Sequence, residues 1–361
     1  MKNKRILCVM LPFLAVSVVS AAVHIAFSVS QSFAANWRMT VGAFLRAVLA
    51  HINSPIPVSL TEAAIISSPA ILVYIIGAGI RKSGSVKRFF VRAAAFVFAV
   101  VSVVYSVFVL SYGAGFYTRD IGLEFGIVRR DVSVDELYSA TLAAIREVNR
   151  EAAMIDASVT GATHMNMTFD ELSEKVCSGY DSLAEKYSFP TKLHVRLKPI
   201  TLSEPMTYTH LSGVYSMFTG EANINVNYPD FVVAYTSAHE MAHQRGIARE
   251  DEANFVAFLV CDTSVDHYLR YSGYLNVYEY MASALYSASP QKYSEAVSEL
   301  CDTARTELRA YSEFFDKYRE NTAANVTDSV NSAYLSAFTG NDTRSYGMVV
   351  DLCTLYLNGV K

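Results

Sequence analysis

No two of the five cysteines, Cys8, Cys177, Cys261, Cys301 and Cys353, form a CxxC pair. That absence excludes a cysteine zinc ribbon. A basic excess is also missing: 30 Lys and Arg stand against 34 Asp and Glu, a net charge of −4. Such a chain has no electrostatic footprint for nucleic acid, and no nucleic-acid partner is expected. No internal repeat and no low-complexity tract is visible. What the sequence has in quantity is apolar residues, 52% of the chain, which is high for a soluble protein and points to membrane segments.

Three apolar runs precede residue 112. They span about 6–30, 63–80 and 89–111. Each is long enough to cross a hydrocarbon core of about 30 Å as a helix. The second is short and contains Pro69. The first exceeds the usual apolar region of a signal peptide, so a retained helix is expected rather than cleavage. The runs carry almost no charge beyond His24 and Arg92, which speaks against a transporter. Lys2, Lys4 and Arg5 precede the first run, and Arg81, Lys82, Lys87 and Arg88 link the second to the third. Positive links stay in the cytoplasm. The expectation is a multi-pass anchor, 1–111, in the cytoplasmic membrane with its N-terminus inside, and an extracytoplasmic domain, 112–361. Within the outer link, 31–60, Trp37 to Ile52 reads as an amphipathic helix with Val41, Phe44, Leu45, Val48, Leu49 and Ile52 on one side. It would lie on the bilayer or pack on the domain. Cys177, Cys261, Cys301 and Cys353 would form two disulfides or remain buried thiols.

The domain reads as mainly helical with a small sheet. Ser133 with Glu136, and Thr168 with Glu171, are capping-box pairs ahead of apolar stripes. Ser289-Pro290 opens a helix expected to run to about Arg319, with two more near 326–338 and 344–358. These stripes are core positions. Alternation over 194–198 and 221–227 predicts two half-buried strands, the second either a sheet edge or a strand that binds substrate backbone.

The segment Tyr235 to Cys261, YTSAHEMAHQRGIAREDEANFVAFLVC, carries the chemistry. His239 and His243 are four apart, so a helix puts both imidazoles on one face, suited to one tetrahedral zinc. Glu240 lies roughly 100° round, placed to take a proton from metal-bound water and pass it to a leaving amine. Gly246 is a natural helix stop, and a new helix begins near Ala248. A third histidine in the metzincin pattern would fall at 249, where Arg249 stands.

The run Glu250-Asp251-Glu252-Ala253-Asn254 is similar to the Glu-x-x-Ala/Ser-Asp element of gluzincin zinc peptidases. The resemblance implies Glu250 as third zinc ligand and Asn254 as a partner of a ligating histidine, with Asn where Asp is more usual. Glu252 is the rival ligand. It lies about 200° round from Glu250, and only Glu250 pairs with Asn254 at the i, i+4 spacing. A solvated acidic first turn is the plain alternative for all three acids. The three spans, the Ile56-Pro57-Val58-Ser59 stretch and AHEMAHQRGIAREDEANFVAF resemble the bacterial membrane proteins grouped as domain of unknown function 3810, a family inferred to be metallopeptidase-like.

The expected activity is therefore zinc-dependent hydrolysis of a peptide or protein by a zincin-like domain beside the lipid bilayer. The alternative is a non-catalytic zinc-binding envelope sensor that keeps the fold. His210, Tyr215, Tyr235 and Arg249 are candidates for oxyanion stabilisation, and the sequence selects none of them.

Overall fold

The computed structural model describes residues 2–156, 162–187, 189–319, 321–327, 329 and 345–359. It divides into two compact units: Met1–Thr118 with Ser216–Glu221, and Arg119–Tyr215 with Ala222–Lys361.

In the first unit, helices α1 (Lys2–Val29), α4 (Leu60–Ser83) and α5 (Val86–Val107) hold stretches long and apolar enough to cross a membrane. They point to membrane association. Their outer faces are apolar all round, with Val18, Ile65, Val73, Phe90 and Val97 exposed. A helix without a polar face is stable only among other apolar surfaces or in lipid. Helix α4 continues through Pro69 and is longer than the apolar run alone indicates. Ser59 caps its start by accepting from the Glu62 amide, and Gly84 ends it at φ 63°. The 31–60 link is α2 (Gln31–Trp37), a π turn over Arg38–Gly42, and α3 (Ala43–Asn53). The Trp37 indole donates to the Leu110 carbonyl, and Arg46 donates to those of Ser111 and Arg38. The link is thus tied to the end of the third span rather than free.

The second unit is mainly helical around a three-stranded sheet. Its long elements are α6 (Val134–Ala152), α7 (Phe169–Tyr187), α9 (Asp230–Gln244), α10 (Glu250–Thr263) and α11 (His267–Ala288). Shorter ones are α8 (Ser203–Thr207), α12 (Pro290–Ser298), α13 (Asp302–Asp316) and α14 (Ser345–Leu357). Both capping boxes form, at Ser133/Glu136 and Thr168/Glu171. Tyr180, Phe231, Met241, Phe255, Phe258 and Leu275 lie in the core. The five cysteines are free, with Cys177, Cys261 and Cys353 buried, so the thiol reading applies and no disulfide forms. Burial pushes the Cys261 and Cys353 thiols far above their ordinary range, which keeps them inert.

Three sequence expectations are corrected. The helix from Pro290 does not run to Arg319; it stops at Ser298 and restarts at Asp302. Asn149 on α6 causes the break: its amide donates to the Glu299 carbonyl and accepts from the Cys301 amide, replacing helical bonds. The expected strand at 194–198 shrinks to β1 (Lys198–Pro199). Side chains occupy the backbone upstream: Arg245 donates to the Leu193 carbonyl, and Ser173 accepts from the Leu197 amide. The expected strand at 221–227 is β3 (Glu221–Ile224), and it is buried throughout instead of half-buried. With β2 (Gly213–Ser216), the order is β1-β3-β2, so β3 is central and β2 is an edge. The alternation reflects buried polar partners, not solvent: Asn223 donates to the Val214 carbonyl, and Asn225 to that of Leu211. A central strand is not a sheet edge and has no free edge for substrate, so neither expectation for 221–227 holds at β3. Most of the expected 326–338 helix lies outside the described residues; 322–327 and 329 are helical.

Burial raises the Glu279 carboxyl on α11 from an ordinary 4.5 to about 7. The folded state then holds the proton more tightly than the unfolded chain. Stability is highest below pH 4.5 for this group and is lost as pH rises toward 7. Glu279→Gln should remove that loss and gain up to about 3 kcal/mol above pH 7.5. Urea unfolding of both proteins in detergent, at pH 5 and pH 8, checks this; parallel curves at both pH values would contradict it.

Candidate metal centre

Helix α9 is buried on all sides, and His239 is the one residue from 231 to 248 with partial access to solvent. The helix ends in a Schellman motif: the Gly246 amide, at φ 89°, bonds the His243 carbonyl, and the Ile247 amide reaches back to Ala242. This tight reversal is what makes a seven-residue interval from His243 to Glu250 sufficient. It also turns the Ile247 carbonyl onto His243 Nδ1 at 2.7 Å. With Nδ1 held there, Nε2 is the ring nitrogen turned toward His239 and Glu250. Arg245 braces the same corner. It is buried, donates to the Met241 and Leu193 carbonyls, and stacks 3.8 Å from the centre of the Tyr180 ring. Tyr180 donates its hydroxyl to the Ala238 carbonyl.

Three donor atoms converge at this corner. His239 Nε2 and His243 Nε2 are 3.0 Å apart, and Glu250 Oε2 is 3.2 Å and 3.5 Å from them. Among the described residues this is the one grouping of three His, Cys, Asp or Glu side chains placed to hold a metal ion. The histidine side chains are 13% and 8% exposed and that of Glu250 is 40% exposed, so the cluster opens on the Glu250 side. Burial opposes charge on His243, but Glu250 outweighs it and lifts the imidazole to about 9. Glu250 is in turn held well below its ordinary range: burial works against this, and His243 and His239 prevail. Two imidazoles and a carboxylate so arranged attract positive charge.

Glu252 is elsewhere. It is 1% exposed, accepts from the Ile121 amide at 2.9 Å and pairs with Arg249. Asn254 is one turn beyond Glu250, yet its side chain holds neither histidine: His243 Nδ1 goes to Ile247, and His239 Nδ1 is buried with no hydrogen-bond partner among the described residues. The contact at Asn254 is through its carbonyl, which accepts from the Tyr235 hydroxyl.

Glu240 is 5% exposed, and burial raises its carboxyl while the two histidines oppose the rise. The Tyr215 amide of β2 donates to it. Gly213 lies closer still. A Cβ there would fall 2.6 Å from Glu240 Cγ and 2.7 Å from Thr236 Cγ2. The edge strand therefore passes directly over the carboxylate, and only glycine permits it. Sequence reasoning missed Gly213, the Tyr215 amide and the Ile247 carbonyl. A glycine beside a short alternating segment was the one available signal; backbone donors and acceptors leave none. Three of the oxyanion candidates are committed elsewhere: Tyr235 to Asn254, Arg249 to Glu252, and His210 Nε2 to the Tyr318 carbonyl at 2.6 Å.

A two-histidine, one-carboxylate cluster, open on the Glu250 side and with a second carboxylate beside it, thus defines the site. The model of a family described as a protein of unknown function, DUF3810, matches residues 39–354, and the chain belongs to that family. Neither the curated proteins nor the solved structures give a match.

Proposed function

We propose that this protein is a membrane-anchored zinc metallopeptidase of the gluzincin kind, with a zincin-like domain that hydrolyses peptide bonds outside the cytoplasmic membrane. One observation carries the reading. The edges of the donor triangle, 3.0, 3.2 and 3.5 Å, fit one face of a tetrahedron. Ligand bonds of about 2.0–2.1 Å require edges of about 3.3–3.4 Å. His239, His243 and Glu250 would hold the ion, and the open side at Glu250 leaves room for water and substrate. Bound there, zinc would acidify a water and polarise the scissile carbonyl.

The chain's own groups do the rest. Glu240, kept in place by the Tyr215 amide, takes the proton and returns it to the leaving nitrogen. Its upward shift brings it closer to the range where a carboxylate both accepts and releases a proton. Edge strand β2 aligns an extended peptide by backbone pairing. The placement of Lys2, Lys4, Arg5, Arg81, Lys82, Lys87 and Arg88 supports an N-terminus inside and this domain outside.

The test is metal content of the full chain purified in detergent. About one zinc per chain is expected for a catalytic site of this donor set, lost in Glu250→Ala and kept in Glu252→Gln. Folded wild type that holds no zinc at neutral pH would overturn the proposal. Zinc with no cleavage of any unstructured protein would favour the sensor reading.

A further inference from the structure

We infer that Glu221 is a positioning residue: its carboxylate fixes the turn 216–221, and along the chain that turn steadies the strand beside Glu240. The inference rests on the reading of Glu240 as proton acceptor, although its structural half does not.

Glu221 is 2% exposed, and its carboxylate is fully used. Oε1 accepts from the Leu60 amide at 3.0 Å; Oε2 accepts from the Thr61 amide at 2.9 Å and the Thr61 hydroxyl at 2.7 Å. Those amides belong to the first turn of α4, where helical N–H groups have no partner of their own and the dipole favours an anion. Ser59 already caps this helix locally. A second cap, from a residue about 160 positions away, adds little that the helix itself needs. It does fix the chain that supplies it.

The neighbours of Glu221 are fixed in the same way. Asn53 donates to the Thr219 carbonyl at 2.6 Å, and the hydroxyls of Thr61 and Thr219 are 2.8 Å apart. Gly220 adopts φ +71°, and a Cβ there would fall 2.6 Å from the Ala50 amide nitrogen. Its own amide bonds the Ser216 carbonyl at 2.7 Å, closing the turn. Residues 216–221 accordingly belong with the membrane helices. The next residue back along the chain is Tyr215, whose amide donates to Glu240, and two further back is Gly213, which touches it. A hydrogen bond weakens steeply when its donor moves by a fraction of an ångström to an ångström. Release of the turn would therefore loosen the carboxylate while leaving the three metal ligands, all on α9 and α10, in place.

The experiment uses the full chain in detergent, comparing wild type with Glu221→Gln and Thr61→Val. Amide hydrogen exchange over 212–216 should quicken roughly tenfold or more once charge-assisted bonds are lost. Zinc content should stay the same. On a peptide substrate, kcat should fall roughly tenfold to a hundredfold with KM nearly unchanged, the mark of a misplaced catalytic group rather than lost binding. Exchange over 212–216 that stays at the wild-type rate in both folded variants would overturn the inference. If Glu221→Gln does not fold, Thr61→Val decides alone, since it removes a single donor, the Thr61 hydroxyl, and leaves the carboxylate in place. If wild type cleaves nothing, the peptidase reading fails, and the exchange rates still decide whether Glu221 steadies the strand through the turn.

Discussion

Glu240→Gln should retain about one zinc per chain and lose turnover by at least a hundredfold, and up to ten-thousandfold, the usual contribution of a positioned general base. The amide matches the carboxylate in size and still accepts the Tyr215 amide proton through its oxygen. It cannot take a proton from water. Because Glu240 is not among the converging donors, metal content should not change. The substitution also removes a buried ionisable group whose charged form is disfavoured by desolvation, so the variant should unfold at the same or a higher denaturant concentration. Loss of activity together with unchanged stability and zinc would assign Glu240 to the proton transfer. A variant that cleaves as fast as wild type would remove Glu240 from the mechanism.

The second large effect is expected at Gly213, which carries no functional group. An added methyl would meet Glu240 Cγ at 2.6 Å and Glu240 Oε1 at 2.7 Å, distances real Cβ atoms do not sustain. Gly213 does not have positive φ, so the alanine variant suffers no backbone strain there. Its whole effect is steric and falls on Glu240 and Thr236. Either the carboxylate swings away or β2 moves outward, and both separate the Tyr215 amide from its acceptor. Turnover of Gly213→Ala should fall roughly a hundredfold, the scale set by displacing a catalytic group by about 1 Å. Zinc content should be kept. Wild-type turnover in a folded Gly213→Ala protein would mean that the strand does not hold the carboxylate.

The pairing of these two outcomes is informative. Glu240→Gln changes chemistry at fixed geometry, whereas Gly213→Ala changes geometry at fixed chemistry. If the carboxylate works through its position beneath β2, the double variant should be little worse than Glu240→Gln alone, since residues that act as a unit are not additive.

Much of this site was local and so was written in the sequence. The i, i+4 spacing of His239 and His243 puts two imidazoles on one helical face wherever that helix is placed. Gly246 stops the helix because only glycine enters the left-handed region freely. The capping boxes at Ser133 and Thr168, and the three apolar helices, follow from neighbours within a few residues. The choice between Glu250 and Glu252 was tied to a resemblance and to helical phase. The structure brings Glu250 to the histidines and buries Glu252 under Ile121 and Arg249.

What tertiary structure alone decided are contacts between residues far apart in the chain. Asn149 breaks a helix about 150 residues later by offering both halves of an amide to its backbone. Glu221, Asn223 and Asn225 alternate like a solvent-facing strand, yet each finds a partner that lets it be buried. Asn254 has the right phase to orient a histidine, but the Schellman turn delivers the Ile247 carbonyl to His243 first. Side-chain spacing records which residues share a face. It carries no trace of where a distant carbonyl or amide will point, because every residue but proline presents the same backbone groups. The sequence thus determined the helix that carries His239, Glu240 and His243 and the face the two imidazoles share, and only folding could set the edge strand over Glu240.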